Sequence, residues 1–325
     1  MTGLTVVVVS HNTREYLEKC LLALSSSLCE VVVADNASID GSQQLVRERY
    51  PQVRLLAFDE NLGFGRAFNE AARLVSGRLL LVLNPDAWPV DGGLEKLESY
   101  VDRHPKVGVA GPTLLHPDGR LQRSINGYPT MLWRGRSAVP GSPSPKTPWK
   151  KRRIRMAAFR LRWRHRRGDH AGAAVQGRAL DRHFLKGAVL LFRREALDCV
   201  GGFDDDFFLF GEDIDICYRI RQAGWRVAYV PDATFVHVGG SSTRRDWGQS
   251  YREQLRGHLR FLAKHRGGLQ AELARHFLVA ALRSRAFRRG REGVPFAEAA
   301  RWLASAPVKV LLNSGKRVDA LGRRP

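Results

Sequence analysis

Cysteine is scarce in this chain: Cys20, Cys29, Cys199 and Cys217 are the four in 325 residues, and no two form a C-x-x-C pair. That spacing excludes the common zinc-ribbon and thioredoxin-type motifs. Cys20 and Cys217 fall on expected helices, so reduced core thiols in a cytoplasmic protein are the expectation. Long hydrophobic runs are missing too. None approaches the roughly 18 apolar residues that cross a bilayer. The first apolar run opens almost at Met1, which in this reading leaves no room for a signal peptide. The dinucleotide fingerprint G-x-G-x-x-G is absent, and a lone Gly63-Phe64-Gly65 is poor evidence for one, though it permits close backbone approach. Acidic residues are outnumbered, with 32 Asp and Glu against 53 Lys and Arg and a net charge of +21.

What the chain does contain is an alternation of short apolar runs and amphipathic stretches. Residues 4–9, 31–34, 53–57 and 79–83 read as strands, the last a wholly apolar run. Helices are expected over 14–27, with Leu17, Leu21, Leu22 and Leu24 as the apolar face, and over Phe64–Val75. Such alternation implies an α/β fold with a mainly parallel sheet, polar groups gathered at the carboxyl edge of its strands. Ser10, Asp35, Asn61 and Asp86 all fall at or near that edge, which suits a nucleotide.

The segment Gly201–Ser242 carries the densest chemistry. Glu212 and Asp213 sit where a helix should begin, after the run Phe207–Phe210, and Ala223-Gly224 is a natural stop. A carboxylate at a helix start feels the positive end of the dipole, and beside an aromatic pocket it can serve as a general base. An ordinary acidic first turn is the plainer reading. Asp215 and Arg219, at i and i+4, are expected to brace the helix as an ion pair. Asp86, at the end of the buried strand and after Asn84-Pro85, has the oxygen ligands a hard divalent cation prefers; a simple turn is the alternative.

Six pieces in order resemble the inverting family 2 glycosyltransferases of GT-A fold, in particular their bacterial rhamnosyltransferase-like branch. They are Val6-Val-Val-Val-Ser10-His11-Asn12, the stretch Val31 to Ser42 around Asp35-Asn36, and Glu60-Asn61-Leu-Gly63-Phe64-Gly65. Leu83-Asn84-Pro85-Asp86, Gly211-Glu212-Asp213-Ile-Asp215-Ile-Cys217 and His237-Val-Gly239-Gly240-Ser241-Ser242 complete them, so the resemblance covers residues 4–245.

The resemblance implies a role for each matching position. Asp35 would contact the base or ribose of a sugar nucleotide, with Ser10 beside it and Asn12, Asn61, Gly63, Asn84 and Asp86 around the donor. An Asx turn is the structural alternative for Asp35. Asp86 would be the last carboxylate of the family's Asp-x-Asp motif, binding Mg²⁺ or Mn²⁺ against the diphosphate, although Asn84 replaces the first Asp. His237 would complete the metal site, or else simply end a strand. Asp213, ahead of Glu212, would take the proton of the acceptor hydroxyl in a single inverting displacement. Lys186 and Gly187 would lie on the acceptor side.

The positive charge is uneven. Lys150 to Arg167 is intensely basic and interleaved with Ile154, Met156, Phe159, Leu161 and Trp163, and a Pro/Ser-rich stretch, Val139 to Pro148, precedes it. Together they read as an insertion near 135–180. Contact with an anionic membrane or lipid diphosphate, a solvated loop and nucleic acid are the three readings, in that order. From 246 to 325 the chain reads as a basic helical appendage to a 1–245 catalytic domain. Helices are expected over Tyr251–Lys264, Leu269–Phe287 (stripe Leu273, Phe277, Ala281) and Glu298–Leu312 (stripe Trp302, Leu303, Val310). These stripes read as core packing or as peripheral docking. The expected enzyme moves a sugar, first of all L-rhamnose from dTDP-L-rhamnose, to a lipid-linked or polysaccharide acceptor at the inner face of the plasma membrane. A UDP-hexose transferase, a non-catalytic membrane or nucleic-acid binder and a nucleotidyltransferase are the competing readings.

Overall fold

A computed structural model describes residues 3–130, 183–239, 247–289 and 293–313. The basic insertion, its Lys150–Arg167 core, and Gly240, Ser241 and Ser242 lie outside the described residues.

The first half of the sheet follows the alternation seen in the sequence. Strands β1 (Leu4–Ser10), β2 (Glu30–Asp35), β3 (Arg54–Ala57) and β4 (Leu79–Leu83) pair in parallel in the order β3-β2-β1-β4. Helices α1 (Arg14–Leu24), α2 (Ser42–Arg49) and α3 (Phe64–Arg73) make the crossovers. All seven residues of β1 are buried because both faces of the sheet are covered. Val6 and Val8 face one core with Leu17, Cys20, Leu21 and Leu24 of α1. Val7 and Val9 face the other, with Ala67, Phe68 and Ala71 of α3. In α1 the inward stripe runs 17, 20, 21, 24, so Cys20 occupies the core position expected of Leu22, which is exposed.

Beyond β4 the sheet is mixed. After β5 (Ala87–Val90), α4 (Gly93–Arg103) and β6 (Val107–Leu115) come the short strands β7 (Leu121–Gln122), β8 (Ile125–Gly127) and β9 (His183–Leu185). Strand β10 (Val189–Arg193) then enters antiparallel between β4 and β6. Following α5 (Arg194–Cys199) and α6 (Glu212–Gln222), β11 (Arg226–His237) runs parallel to β6 and antiparallel to β5. The parallel expectation therefore describes the β3–β4 half.

Helices α7 (Trp247–Arg266), α8 (Gly268–Arg289), α9 (Val294–Ala304) and α10 (Val308–Asn313) close a third core around Tyr251, Leu259, Leu278 and Phe296. Two expectations fail here. The inward stripe of α8 is Ala271, Ala274, Leu278 and Leu282, while Leu273, Phe277 and Ala281 point outward. The expected helix over Glu298–Leu312 is two helices, because Pro307 lacks the N–H and clashes with the preceding turn. Val310 is accordingly exposed, and Val308 and Leu311 are buried in its place.

Helix α7 is locked onto the start of α6. A Cβ on Gly257 would meet the Phe210 carbonyl oxygen at 2.1 Å, so only glycine allows that approach. Asp215 of α6, fully buried, pairs with Arg219 at 2.6 Å as expected, and also with Lys264 at 2.8 Å and His265 at 2.7 Å of α7. Among the described residues no helix is long and apolar enough to cross a membrane.

Candidate active site

The carboxyl ends of β1 and β2 lie side by side, with Ser10 registered against Asp35. Both side chains are fully buried. Asp35 divides its oxygens. Oδ1 accepts from the Ser38 N–H (2.9 Å) and Gln43 Nε2 (2.8 Å), an Asx-type turn, while Oδ2 is buried with no hydrogen-bond partner among the described residues. A buried carboxylate oxygen left without a donor is costly, and a hydroxyl or ring N–H of a ligand would satisfy it. Asn12 is committed to the loop: its Oδ1 accepts from Ile39 N–H at 2.8 Å and its own N–H donates to Ser38. Asn12 and Ala37 hold left-handed backbone, φ +52° and +57°, strain that neighbouring structure must support.

The next segment is pinned to the same edge. Asn36, which sequence reasoning left out of the site, donates to the Gly63 carbonyl and accepts from Leu62 N–H. Asn61 caps its own turn through Gly63 N–H at 2.9 Å. Gly63 has φ +83°, and a Cβ there would meet the Phe208 carbonyl oxygen at 2.4 Å. Its close approach, like that of Gly65 to Phe203, is therefore to the 203–210 segment of the protein.

That segment delivers the acidic pair. Phe210 and Gly211 are both left-handed, φ +64° and +94°, and helix α6 starts immediately after them. Asp213 Oδ2 accepts from the Gly187 N–H at 2.9 Å, and its Oδ1 from Ile214 N–H at 2.8 Å. A Cβ on Gly187 would stand 3.0 Å from that of Asp213, so the residue must be small for the two to meet. Burial pushes the Asp213 carboxyl above the usual range; Gly187 and Ile214 N–H groups and Lys186 pull the other way. Burial, then the Asp213 charge, pushes Glu212 up as well, and its Oε2 is buried without a partner among the described residues. Adjacent carboxyls of this kind do not ionise together; the more solvated Asp213 takes the charge and Glu212 keeps the proton.

The third element is Asp86 with His237. The antiparallel pairing of β5 and β11 sets Ala87 opposite His237, which brings His237 Nε2 to 3.3 Å from Asp86 Oδ1. Asp86 Oδ2 accepts from Gly239 N–H at 3.1 Å. Asn84 to Ala87 is indeed a tight turn, and the Asn84 N–H donates to Ala188.

Gln122, in the two-residue strand β7, carries no signal in the sequence. Its Oε1 lies 3.1 Å from Lys186 Nζ and 2.6 Å from His237 Nδ1, and its Nε2 lies 3.3 Å from the His237 carbonyl. Lysine only donates and a carbonyl only accepts, so the amide has one orientation. His237 Nδ1 must then carry a hydrogen, and Nε2 is the ring atom that faces the Asp86 carboxylate at 3.3 Å. Asp86 Oδ1 and His237 Nε2 are the oxygen and nitrogen that a divalent cation would take as ligands here. Among the described residues no third His, Cys, Asp or Glu joins them. A divalent ion held here would need further oxygen ligands beyond these two.

The Lys186-Gly187 turn, at the entry to β10, joins the two acidic centres. Gly187 holds Asp213, while Lys186 holds Gln122 and thereby His237. Burial lowers the Lys186 pKa, and the carboxylates of Asp213 and Asp86 oppose that shift. Asn36 joins the end of β2 to Gly63, the Phe64 N–H donates to the Phe208 carbonyl, the Gly187 N–H holds Asp213, and Lys186 reaches His237 through Gln122.

Ser10 and Asp35 thus share one strand edge, Asp213 is held by the Lys186-Gly187 turn, and Gln122 ties that turn to His237 beside Asp86. The chain belongs to glycosyl transferase family 2, whose model matches residues 5–201; that of glycosyl transferase family group 2 matches residues 145–288. It is a rhamnosyltransferase-like glycosyltransferase. Over 285 residues it is 32% identical to the N-acetylglucosaminyl-diphospho-decaprenol L-rhamnosyltransferase of Mycobacterium tuberculosis, covering 83% of this chain and 87% of that one. It is 27% identical over 228 residues to the O-antigen biosynthesis protein RfbC of Myxococcus xanthus, 67% of this chain and 15% of that one. The mannosyltransferase PcManGT of Pyrobaculum calidifontis, solved with GDP-Man and Mn²⁺, superimposes with a TM-score of 0.53 at 21% identity, over 96% and 79% of the two chains. That likeness shows the GT-A fold.

Proposed function

We propose that this enzyme transfers L-rhamnose from dTDP-L-rhamnose, with inversion, to a hydroxyl of a lipid-linked or polysaccharide acceptor. The observation that carries the mechanism is Asp213, fixed by two backbone N–H groups beside Lys186, which is tied to His237 through Gln122. The donor and acceptor rest on the L-rhamnosyltransferase relative, whose name gives a diphospho-decaprenol acceptor. The catalytic unit is residues 1–245, with 246–325 as its helical appendage. The enzyme works at the inner face of the plasma membrane.

Asp35 and Ser10 bind the nucleoside, with the free Asp35 Oδ2 as acceptor. Asn61 and Gly63 shape the loop beside it. Asp86 and His237 would hold Mg²⁺ or Mn²⁺, which would supply positive charge against the leaving diphosphate. Asp213 takes the acceptor proton as the hydroxyl oxygen attacks the anomeric carbon, and the bond from that carbon to the diphosphate oxygen breaks. Protonated Glu212 leaves the single negative charge on Asp213. Lys186 adds positive charge between base and diphosphate.

Purified full-length enzyme with Mn²⁺ should be stabilised in a thermal-shift assay by dTDP-L-rhamnose above UDP-glucose, UDP-N-acetylglucosamine or GDP-mannose. With an N-acetylglucosaminyl diphospho-lipid it should release dTDP and give the inverted anomer by NMR. Release from another donor alone would move the reading to that sugar; no release from any donor would end it. Asp86→Ala should weaken Mn²⁺-dependent donor binding at least about tenfold, roughly 1.4 kcal/mol. Unchanged binding would take Asp86 out of the metal site. Gln122→Ala frees the imidazole tautomer and should weaken Mn²⁺ affinity, read by electron paramagnetic resonance, by about 10–100-fold. Parental Mn²⁺ affinity would show that Gln122 is only a packing residue.

A further inference from the structure

Helix α8 is apolar on both sides. Its inner side packs on α7 and α9, yet the outer side carries Leu269 (76% exposed), Leu273 (41%), Phe277 (49%) and Phe287 (89%). Spacings of four residues from 269 to 277, with 287 falling back on the same angle, put these side chains on one stripe. An exposed apolar stripe of this kind marks a surface that meets a partner or a membrane. The outer face has a matching charge pattern. Exposed Arg283 and Arg288 flank the stripe, and the single acid in the 22 residues, Glu272, turns away from it to bind Arg275 and the Val308 N–H.

We infer that the outer face of α8 is the surface on which this enzyme rests on an anionic lipid bilayer. Apolar side chains without acidic neighbours, rimmed by arginines, suit the boundary between headgroups and acyl chains. A second copy of the chain suits it less, since pairing two such faces would bring two sets of arginines together with no acid between them. The position fits a lipid-linked acceptor. Helix α8 packs on α7, which in turn packs on Phe210 and Gly211, the residues just before Glu212 and Asp213. The inference depends on the proposed acceptor only for its purpose, because lipid binding itself needs no sugar.

The test is sedimentation of full-length protein with vesicles of phosphatidylcholine, with and without phosphatidylglycerol. The parent should bind the anionic vesicles and release in high salt. Leu273→Ser/Phe277→Ser/Phe287→Ser should bind them on the order of tenfold more weakly or worse, with unchanged circular dichroism and unchanged donor hydrolysis in lipid-free buffer. Arg283→Glu/Arg288→Glu should lose the preference for phosphatidylglycerol. Parental binding by the triple variant, or no binding by the parent, would overturn the inference. So would a change of oligomeric mass in the triple variant without loss of vesicle binding, which would make the face a contact between copies. Failure of the rhamnosyl-transfer reading is distinguishable, since it would show in donor release and leave vesicle binding intact.

Discussion

Asp213→Asn should lower kcat about 10²–10⁴-fold while donor affinity and fold stability stay near those of the parent. The loss follows from position. Gly187 and Ile214 N–H groups fix both oxygens of Asp213, and no other carboxylate among the contacts described here is free to replace it, because Glu212 is held neutral by burial and by its neighbour. The shift also has a sign. Burial raises the Asp213 pKa, so the ionised base is present only above that raised value. The acid limb of kcat/KM should therefore lie above the ordinary aspartate range near ~3.9. Transfer at the parental rate by the Asn variant, with donor bound normally, would remove Asp213 from the base role. Glu212→Gln is the control: it keeps a neutral group at that place and should retain most activity.

The largest stability effect is expected from Asp215→Asn. Burial would raise the Asp215 carboxyl, but His265, Arg219 and Lys264 outweigh it and hold the group at about 2. Removing the charge leaves the Arg219 and Lys264 cations and the His265 ring around a neutral amide. Breaking a buried pair costs about 3–5 kcal/mol; we take the lower end because Lys264 is a third exposed and partly hydrated. The thermal midpoint should fall by roughly 4–5 °C. A depressed carboxylate stabilises the fold above the unfolded pKa and loses that contribution as pH falls through the folded one. Parent and variant should therefore converge in stability between about pH 4 and pH 2. Equal midpoints at neutral pH would show that the cluster contributes nothing net.

Much of this was written locally. The strands at 4–10, 30–35 and 79–83 are apolar runs, and the acids at their ends, Asp35 and Asp86, were legible as edge groups for that reason. The helix starting at Glu212-Asp213 and ending before Gly224 was equally plain, as was the Asp215–Arg219 pair. Pro307 was visible too, and the helix should have been divided there. The inner face of α8 was not legible, because a helix apolar on both sides carries no moment that distinguishes in from out. Gln122 gave no signal in a two-residue strand. Lys264 and His265 lie about fifty residues from Asp215, a partnership that no local pattern encodes.

The sequence by itself determined the order of elements, the parallel first half of the sheet, and which carboxylates stand at strand and helix ends. Those features follow from periodicity and from the backbone preferences of Gly, Pro and β-branched residues, which act over a few residues. Only the tertiary structure decided which of those groups meet. The reversed direction of β10 carries Lys186 and Gly187 between Asp213 and Gln122, and the β5–β11 pairing sets His237 against Asp86. Strand direction and long-range contact come from packing both faces of the sheet at once, so these contacts exist only when distant parts of the chain have folded together.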